Sequence, residues 1–455
     1  MSKRLIVVLT LLFVVGIAFA AYAEVQNVKV SGDIVASWVG RKHFGLFNSV
    51  LGDKSQFNQN LFMTQARIRV DADLTDNVMA TVRLINERVW NGNNDTNTGG
   101  DNKIDLDLAY VALKEFLYSP LSITVGRQEI RFGNGLVMGN AKTGTGSVNI
   151  PSDLTLRKAF DAVRATLNYD PLIVDLLYAK VRQESYTSAI GSAVGADRGN
   201  KDDINLMGVN ASYAINKNTN ASVYYYHKND KYKGGSAAAG GKSDEVSTIG
   251  GLVSSTPIEN LTASLEAAYQ FGRSNTTDTT QKNHQGYAVQ AMADYTFAKV
   301  KTTPKIGVSW TYLSGGRATD DKNAGWDPMF YDQKLNNITY TLLPFTNMNV
   351  INLKASCKPM DDVTVYANYG YYEVAKTKSG ETITSPFSYN GTNAYYTTTY
   401  TNKTHLGDAI DLTATYDYTE DVQFALTGGW FKPGRALAVD ERDATQLIGS
   451  MKVVF

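Results

Sequence analysis

Between Phe62 and Leu74 the chain sets ionisable and apolar side chains in strict alternation. Arg67, Arg69, Asp71 and Asp73 take the odd positions, while Ile68, Val70, Ala72 and Leu74 take the even ones. Strand side chains point to opposite faces in turn, so one face of this segment is apolar and the other carries four charges. On a helix the same residues would scatter charge around the circumference. By the same parity Arg83, Asp105, Asp107 and Arg164 join the charged face. A wetted wall of this kind sorts ions: Arg and Lys favour anions, Asp and Glu favour cations. The bland alternative is that opposite charges pair across strands and only solvate the wall.

A second charged run, Arg127-Gln128-Glu129-Ile130-Arg131, breaks the alternation, because Arg127, Glu129 and Arg131 share parity with Ile123 and Val125. Three charges facing lipid would be costly near the bilayer midplane. The run therefore predicts either a β-bulge at Gly126 or a strand end above the membrane. The segment 133–159 that follows is rich in Gly, Asn, Ser and Thr and carries Lys142, Arg157 and Lys158. It reads either as a loop folded inward to narrow a channel or as a surface loop. Its glycines, in Gly133-Asn134-Gly135-Leu136-Val137-Met138-Gly139, lack the spacing and the βαβ context of a nucleotide fingerprint. The stretch 91–101 could offer Asp95 and Asp101 to a calcium ion, but solvated loop chemistry is the favoured reading of so many Asn and Asp side chains. His43, His227, His284 and His405 are dispersed and form no ligand set. No Gly-x-Ser-x-Gly elbow or grouped nucleophile, base and orienting acid stands out, so no enzyme and no cofactor is expected.

The elements that position these side chains share one period. Leu261 to Phe271 sets Leu265, Ala267, Tyr269 and Phe271 against Ser264, Glu266 and Gln270. Tyr287–Phe297, Ile306–Tyr312, Val363–Tyr371 and Val422–Trp430 read the same way, and Ile104, Leu106, Leu108 and Tyr110 form an apolar face opposite Asp105 and Asp107. Each segment has about 10 residues, enough for a tilted strand to cross a bilayer core. Short turns near 75–77, 119–120, 170–171, 216–218, 256–260, 298–302, 359–362 and 419–421 alternate with long polar connections. Those long connections lie near 40–61, 87–103, 133–159, 183–202, 229–244, 274–285, 315–347, 373–404 and 432–443. Eight turns and nine loops join eighteen strands. The pattern predicts an all-β fold: a transmembrane, antiparallel, up-and-down barrel of about 18 strands with short periplasmic turns and long extracellular loops.

The termini and composition agree with this. Lys3 and Arg4, the apolar run Leu5–Ala20 and the small residues Ala21-Tyr22-Ala23 form a signal peptide, 1–23, cleaved after Ala23. One barrel domain, 24–455, remains, with 42 basic residues against 44 acidic ones. That balance gives phosphate no surplus of positive charge, so no nucleic-acid partner is expected. Cys357 is the single cysteine, which excludes an internal disulfide. The 27 tyrosines suit the membrane–water boundary. Leu447, Gly449, Met451, Val453 and Phe455 form one face of a last strand, and Phe455 resembles the C-terminal signal that outer-membrane barrels present to their assembly machinery.

Residues 406–434, LGDAIDLTATYDYTEDVQFALTGGWFKPG, resemble the penultimate hairpin of the alginate-export family of outer-membrane porins. The segment Arg67–Asn86 and the run VGRQEIRFGNG at 125–135 resemble that family's N-terminal half, while 185–400 matches in strand rhythm alone. The resemblance implies an eighteen-stranded, monomeric barrel in the bacterial outer membrane, with Arg127 and Glu129 lining the pore. The expected function is a porin-like channel for hydrophilic, anionic solutes such as sugar acids or polysaccharides. Two alternatives stay open: a general diffusion porin of little selectivity, and a surface adhesin whose lumen is blocked.

Overall fold

A computed structural model describes residues 27–44, 58–90, 104–141, 150–182, 203–231, 243–275, 281–385, 397–438 and 442–455. The expected signal peptide, the carboxylates Asp95 and Asp101, and Lys142 lie outside the described residues.

The first strands are β1 (Asn27–Lys42), β2 (Gln59–Thr75), β3 (Val78–Val89), β4 (Asp105–Leu113), β5 (Leu121–Gln128) and β6 (Phe160–Asn168). Next come β7 (Leu172–Arg182), β8 (Ile204–Asn216), β9 (Thr219–Asp230), β10 (Asp244–Ile258), β11 (Leu261–Asn275) and β12 (Gln281–Thr296). Then follow β13 (Lys305–Leu313), β14 (Met348–Met360), β15 (Val363–Glu373), β18 (His405–Asp417), β19 (Val422–Pro433) and β20 (Ala444–Val454). These form one antiparallel sheet of 18 strands. It closes where β1 pairs with β20 on one side and β2 on the other. Closure satisfies the backbone polar groups that lipid cannot.

The alternation places apolar side chains outside. Val30, Ile68, Val125, Leu265, Leu353 and Leu412 are all exposed on the outer wall. Aromatic rings gather at both rims: Tyr416, Tyr418 and Phe424 at the turn end, Trp38, Trp90 and Trp310 toward the long loops. Such belts mark the two faces of a bilayer.

One expected face is corrected. Ile104 and Leu106 face outward, but Leu108 is buried and the Tyr110 hydroxyl reaches Arg69 in the lumen. The β3–β4 ladder slips by one residue there, with Arg83 opposite Leu108 and Leu84 opposite Leu106. An extra residue in one strand flips every side chain after it. At Gly126, in contrast, no slip occurs: Gly126 faces Tyr110 and Arg127 faces Asp161 in an unbroken ladder. The strand ends two residues later at Gln128, which is the strand-end alternative. Gly126 has φ +122°, and a Cβ there would lie 2.2 Å from the Ala109 carbonyl oxygen, so the close β4–β5 approach needs glycine.

Two further elements were not expected from sequence. A short hairpin, β16 (Thr382–Thr384) with β17 (Thr397–Thr399), sits in the β15–β18 loop. Helix α1 (Asn337–Leu342) sits in the β13–β14 loop and packs on β18 and β19.

Candidate functional site

The described parts of two long connections, 129–141 and 150–159 between β5 and β6 and 314–347 between β13 and β14, lie inside the barrel. Each is fastened to lumen-facing side chains of a different arc of wall. The first holds β1 through Arg41–Asp153 at 2.5 Å and β3 through Arg157–Glu87 at 3.0 Å. It also holds β4 through Arg157–Asp105 at 2.6 Å. The second holds β9 through Lys228–Asp327 at 2.6 Å, and β12 through Gln290–Gln333 at 2.9 Å. Farther along it holds β18, where the Asn337 amide donates to Asp411 at 2.6 Å.

The two segments meet over an apolar core. Leu136, Val137, Met138, Trp326, Phe330 and Phe345 are all buried there, against inward-facing Phe160, Leu177, Val246 and Leu313. Phe330 donates its amide to the Val137 carbonyl at 3.0 Å. Its ring meets Phe160 edge-on at 5.6 Å. Apolar side chains on the long-loop half of the inner wall would be misplaced facing water; covered by these segments, they hold them in place.

The wall charges expected from parity are present on the lumen face, and nearly all are in tight pairs. Arg67 grips Asp33 with two hydrogen bonds of 2.8 and 2.9 Å. Arg69 grips Asp71 at 2.7 and 2.8 Å. Arg83 lies between Asp107, at 2.6 Å, and Glu129. Arg164 pairs with Asp175 at 2.8 Å and stacks over the Phe132 ring. Asp105 is the partner of Arg157, and Asp73 sits at the turn end of β2, opposite Asn27. Arg127 stands apart. It continues the outward series of Val125 and pairs with Asp161 at 2.9 Å, on the face that Val163 shares.

Where the two inner segments meet, the charge does not balance. Asp332 accepts from Lys158 at 2.8 Å and lies 3.7 Å from Arg131. Lys334, two residues on, extends over the Tyr340 ring at 4.9 Å and has no ion-pair partner among the described residues. Lys334, Arg131 and Lys158 all retain solvent exposure. Desolvation pushes the Lys334 ammonium below the ordinary lysine range; Asp153 opposes this, while Lys158 and Arg41 add to it. Asp153 is the opposite case. Burial alone would raise its carboxyl, but Arg41 beside it outweighs burial and holds it below the usual range. Among the described residues no cluster of three metal-ligating side chains occurs.

Parity and loop composition point to Arg131 and Lys158 but not to Lys334, Asp332, Asp153 or Arg41. The signal was available: 315–347 contains Trp326, Phe330, Tyr331, Ile338, Tyr340, Leu342, Leu343 and Phe345. A loop in water has no use for that much apolar surface.

The whole fold is that of the outer-membrane porins. Pseudomonas aeruginosa OccK1 (OpdK) superposes with a TM-score of 0.58 over 95% of this chain and 100% of that one, at 10% identity. A BenF-like porin from Pseudomonas fluorescens Pf-5 gives 0.57 over 95% and 100%, at 11% identity. Pseudomonas aeruginosa OccK2 (OpdF), solved in complex with glucuronate, gives 0.56 over 95% and 99%, at 10% identity. The fold is thus that of an outer-membrane β-barrel. Within that class, residues 47–448 match the family model for alginate export, and the chain belongs to that family. No curated protein matches it in sequence.

Proposed function

We propose that this channel passes anionic, hydroxyl-rich solutes (sugar acids and their oligomers), and that it selects them where segments 129–159 and 314–347 meet. The carrying observation is the charge at that junction: Arg131, Lys158 and Lys334 gather around Asp332, while the nearby Asp153 is already paired with Arg41. A partly dehydrated passage with surplus positive charge lowers the energy of an anion in it. The wall charges Arg67, Arg69, Arg83 and Arg164 line the lumen as pairs with Asp33, Asp71, Asp107 and Asp175, and contribute polarity more than net sign.

The opposite wall supports the sugar part of the reading. A pocket of about 440 Å³ near the turn end is lined by Asn134, Asn220, Ser254, Thr256, Thr262 and Ser264, with Lys217 and Asp294 as its charged groups. Hydroxyls and amides of this kind exchange hydrogen bonds with sugar hydroxyls as well as they do with water. Passage needs no covalent step; the barrel acts as a monomer, and Phe455 serves its insertion into the membrane. OccK2, of like fold, was solved in complex with glucuronate, a sugar acid.

Single-channel recording in planar bilayers tests this. An open current with anion preference, interrupted by millimolar glucuronate but not by glucose, is the expected result. A current without sign preference would reduce the protein to a general diffusion pore.

A further inference from the structure

The outer wall carries a groove that the channel reading does not use. It straddles the closure seam of the barrel, has a volume of about 530 Å³ and is lined almost wholly by apolar atoms. One bank is a cross-strand row: Trp90 bonds beside Phe62, Phe62 faces Trp38, Trp38 faces Gly449, Gly449 faces Leu426 and Leu426 faces Ala414. The other bank is the next row, through Ala36, Met451, Phe424, Tyr416 and Val363. Trp90 follows the last residue of β3 at the long-loop end, while Val363 opens β15 at the turn end. The groove therefore crosses the bilayer diagonally from one rim to the other.

Its floor exists because three outward positions hold little or no side chain: Ala36, Ala414 and Gly449. The strand backbone of Ser37, Thr415 and Ser450, whose own side chains point to the lumen, is bared there. That backbone is already paired in the ladders, so an occupant needs to supply no hydrogen bond. The banks are stiff. Phe62 and Trp90 stack at 5.2 Å, the Trp38 indole donates to Asn60 at 2.7 Å, and the Trp90 indole donates to Thr64 at 2.7 Å. Both indole donors are thus spent on the protein.

We infer that this groove is a binding site for an acyl chain of an outer-leaflet lipid with a phosphorylated head, of the lipid A type. In a bilayer an empty groove would forfeit the dispersion contacts of its lining, and a narrow, polar-free channel fits a hydrocarbon chain. Protein partners instead bury a broad patch, more than about 1,000 Å² in total. The charge at the two ends selects the leaflet. At the long-loop end, exposed Lys42 and Arg88 stand on the outward face that Trp38 and Trp90 share. Lys42 is four residues past Trp38, about 13 Å along the strand. At the turn end the neighbouring turns gather Asp361, Asp362, Asp417, Glu420 and Asp421 against the exposed Lys358, a net negative cluster. A phosphate is drawn to the first end and repelled from the second.

Gly449→Leu is the decisive variant, since a Cβ at 449 meets nothing closer than Leu426 at 3.9 Å, and the added side chain fills the groove without moving backbone. The full barrel is extracted from vesicles of phosphatidylethanolamine with lipid A into mild detergent and read by native mass spectrometry. Heat-modifiable migration on gels verifies folding of each variant. The expected result is one lipid A retained per wild-type barrel, lost in Gly449→Leu and kept in Ala291→Leu, which places the same side chain on another strand of the outer wall. A Lys42→Glu, Arg88→Glu double variant is expected to lose retention several-fold. Equal retention by wild type and Gly449→Leu, retention of phosphatidylethanolamine in place of lipid A, or a second copy of the chain on this face would overturn the assignment.

Discussion

Lys334→Glu reverses one charge where the two inner segments meet, and its effect can be worked from geometry. An ion passing about 7 Å from the charged atom interacts with it by roughly 0.6 kcal/mol at the dielectric of water. Reversal changes that by twice as much. Screening at 0.1 M salt, with a Debye length near 10 Å, halves the change to about 0.6 kcal/mol. An anion loses this amount and a cation gains it, so the permeability ratio moves by about 1.2 kcal/mol, roughly eightfold. Lys334→Gln removes one charge instead of reversing it, and half the energy gives about a threefold change. Reversal potentials in a tenfold salt gradient measure both. A shift from Lys334→Gln as large as that from Lys334→Glu would mean that the substitutions rearrange the loop, and the electrostatic reasoning would be wrong. An unchanged potential in both variants would place Lys334 outside the conducting path.

Two more outcomes follow from the same junction. Lys334 sits below the usual lysine range through desolvation, so wild-type anion preference is expected to fall as pH rises toward, but short of, the ordinary lysine value of about 10.4. Lys334→Gln should lack that inflection when reversal potential is followed across alkaline pH. Asp153 holds the inner segment to β1 through Arg41 and to α1 through Thr341 at 2.9 Å. Asp153→Asn leaves a buried guanidinium without its counter-charge, a loss of about 3–5 kcal/mol at that contact, read as increased open-channel noise at neutral pH. Because the folded carboxyl is held low, its contribution is complete above about pH 4 and disappears as pH falls through the depressed value. The wild type should therefore become noisy only in strong acid, and Asp153→Asn should show no acid transition of its own.

What the sequence made legible was the part of the fold with a period. Strands such as β2 and β11 follow the alternation residue by residue, and the alternation of short and long connections matches eight turns and nine loops. Tyr110 was misassigned because a one-residue slip in a ladder leaves no mark in a single strand's pattern. The junction was largely illegible because its partners are remote in sequence: Lys158 and Asp332 are 174 residues apart, and Arg41 and Asp153 are 112 apart. No period or motif connects such positions. Only the unexplained apolar content of 315–347, and of inward positions such as Leu177, Leu206 and Val246, hinted that something had to cover them.

The paired arginines of β2 and β3 pose a separate question, because charge reversal at Arg67 or Arg69 is a poor probe of what they do. Arg67 and Asp33 lie in contact, so together they present an ion in the lumen with a short dipole, not a charge. For opposite charges about 3 Å apart, aligned with an ion 7 Å away, the net interaction is near a third of that of a single charge; turned sideways it nearly vanishes. Arg67→Glu therefore does two things at once: it inserts a negative charge and leaves Asp33 unpaired beside it. The resulting shift toward cations would appear whether or not the native pair governed selectivity. Neutralising both, as Asp33→Asn with Arg67→Gln, separates the cases. If the wall pairs are neutral lining, the reversal potential stays where it was while Lys334→Gln moves it. A double-neutral variant that moves the potential as far as Lys334→Gln does would relocate the selecting step from the loop junction to the wall.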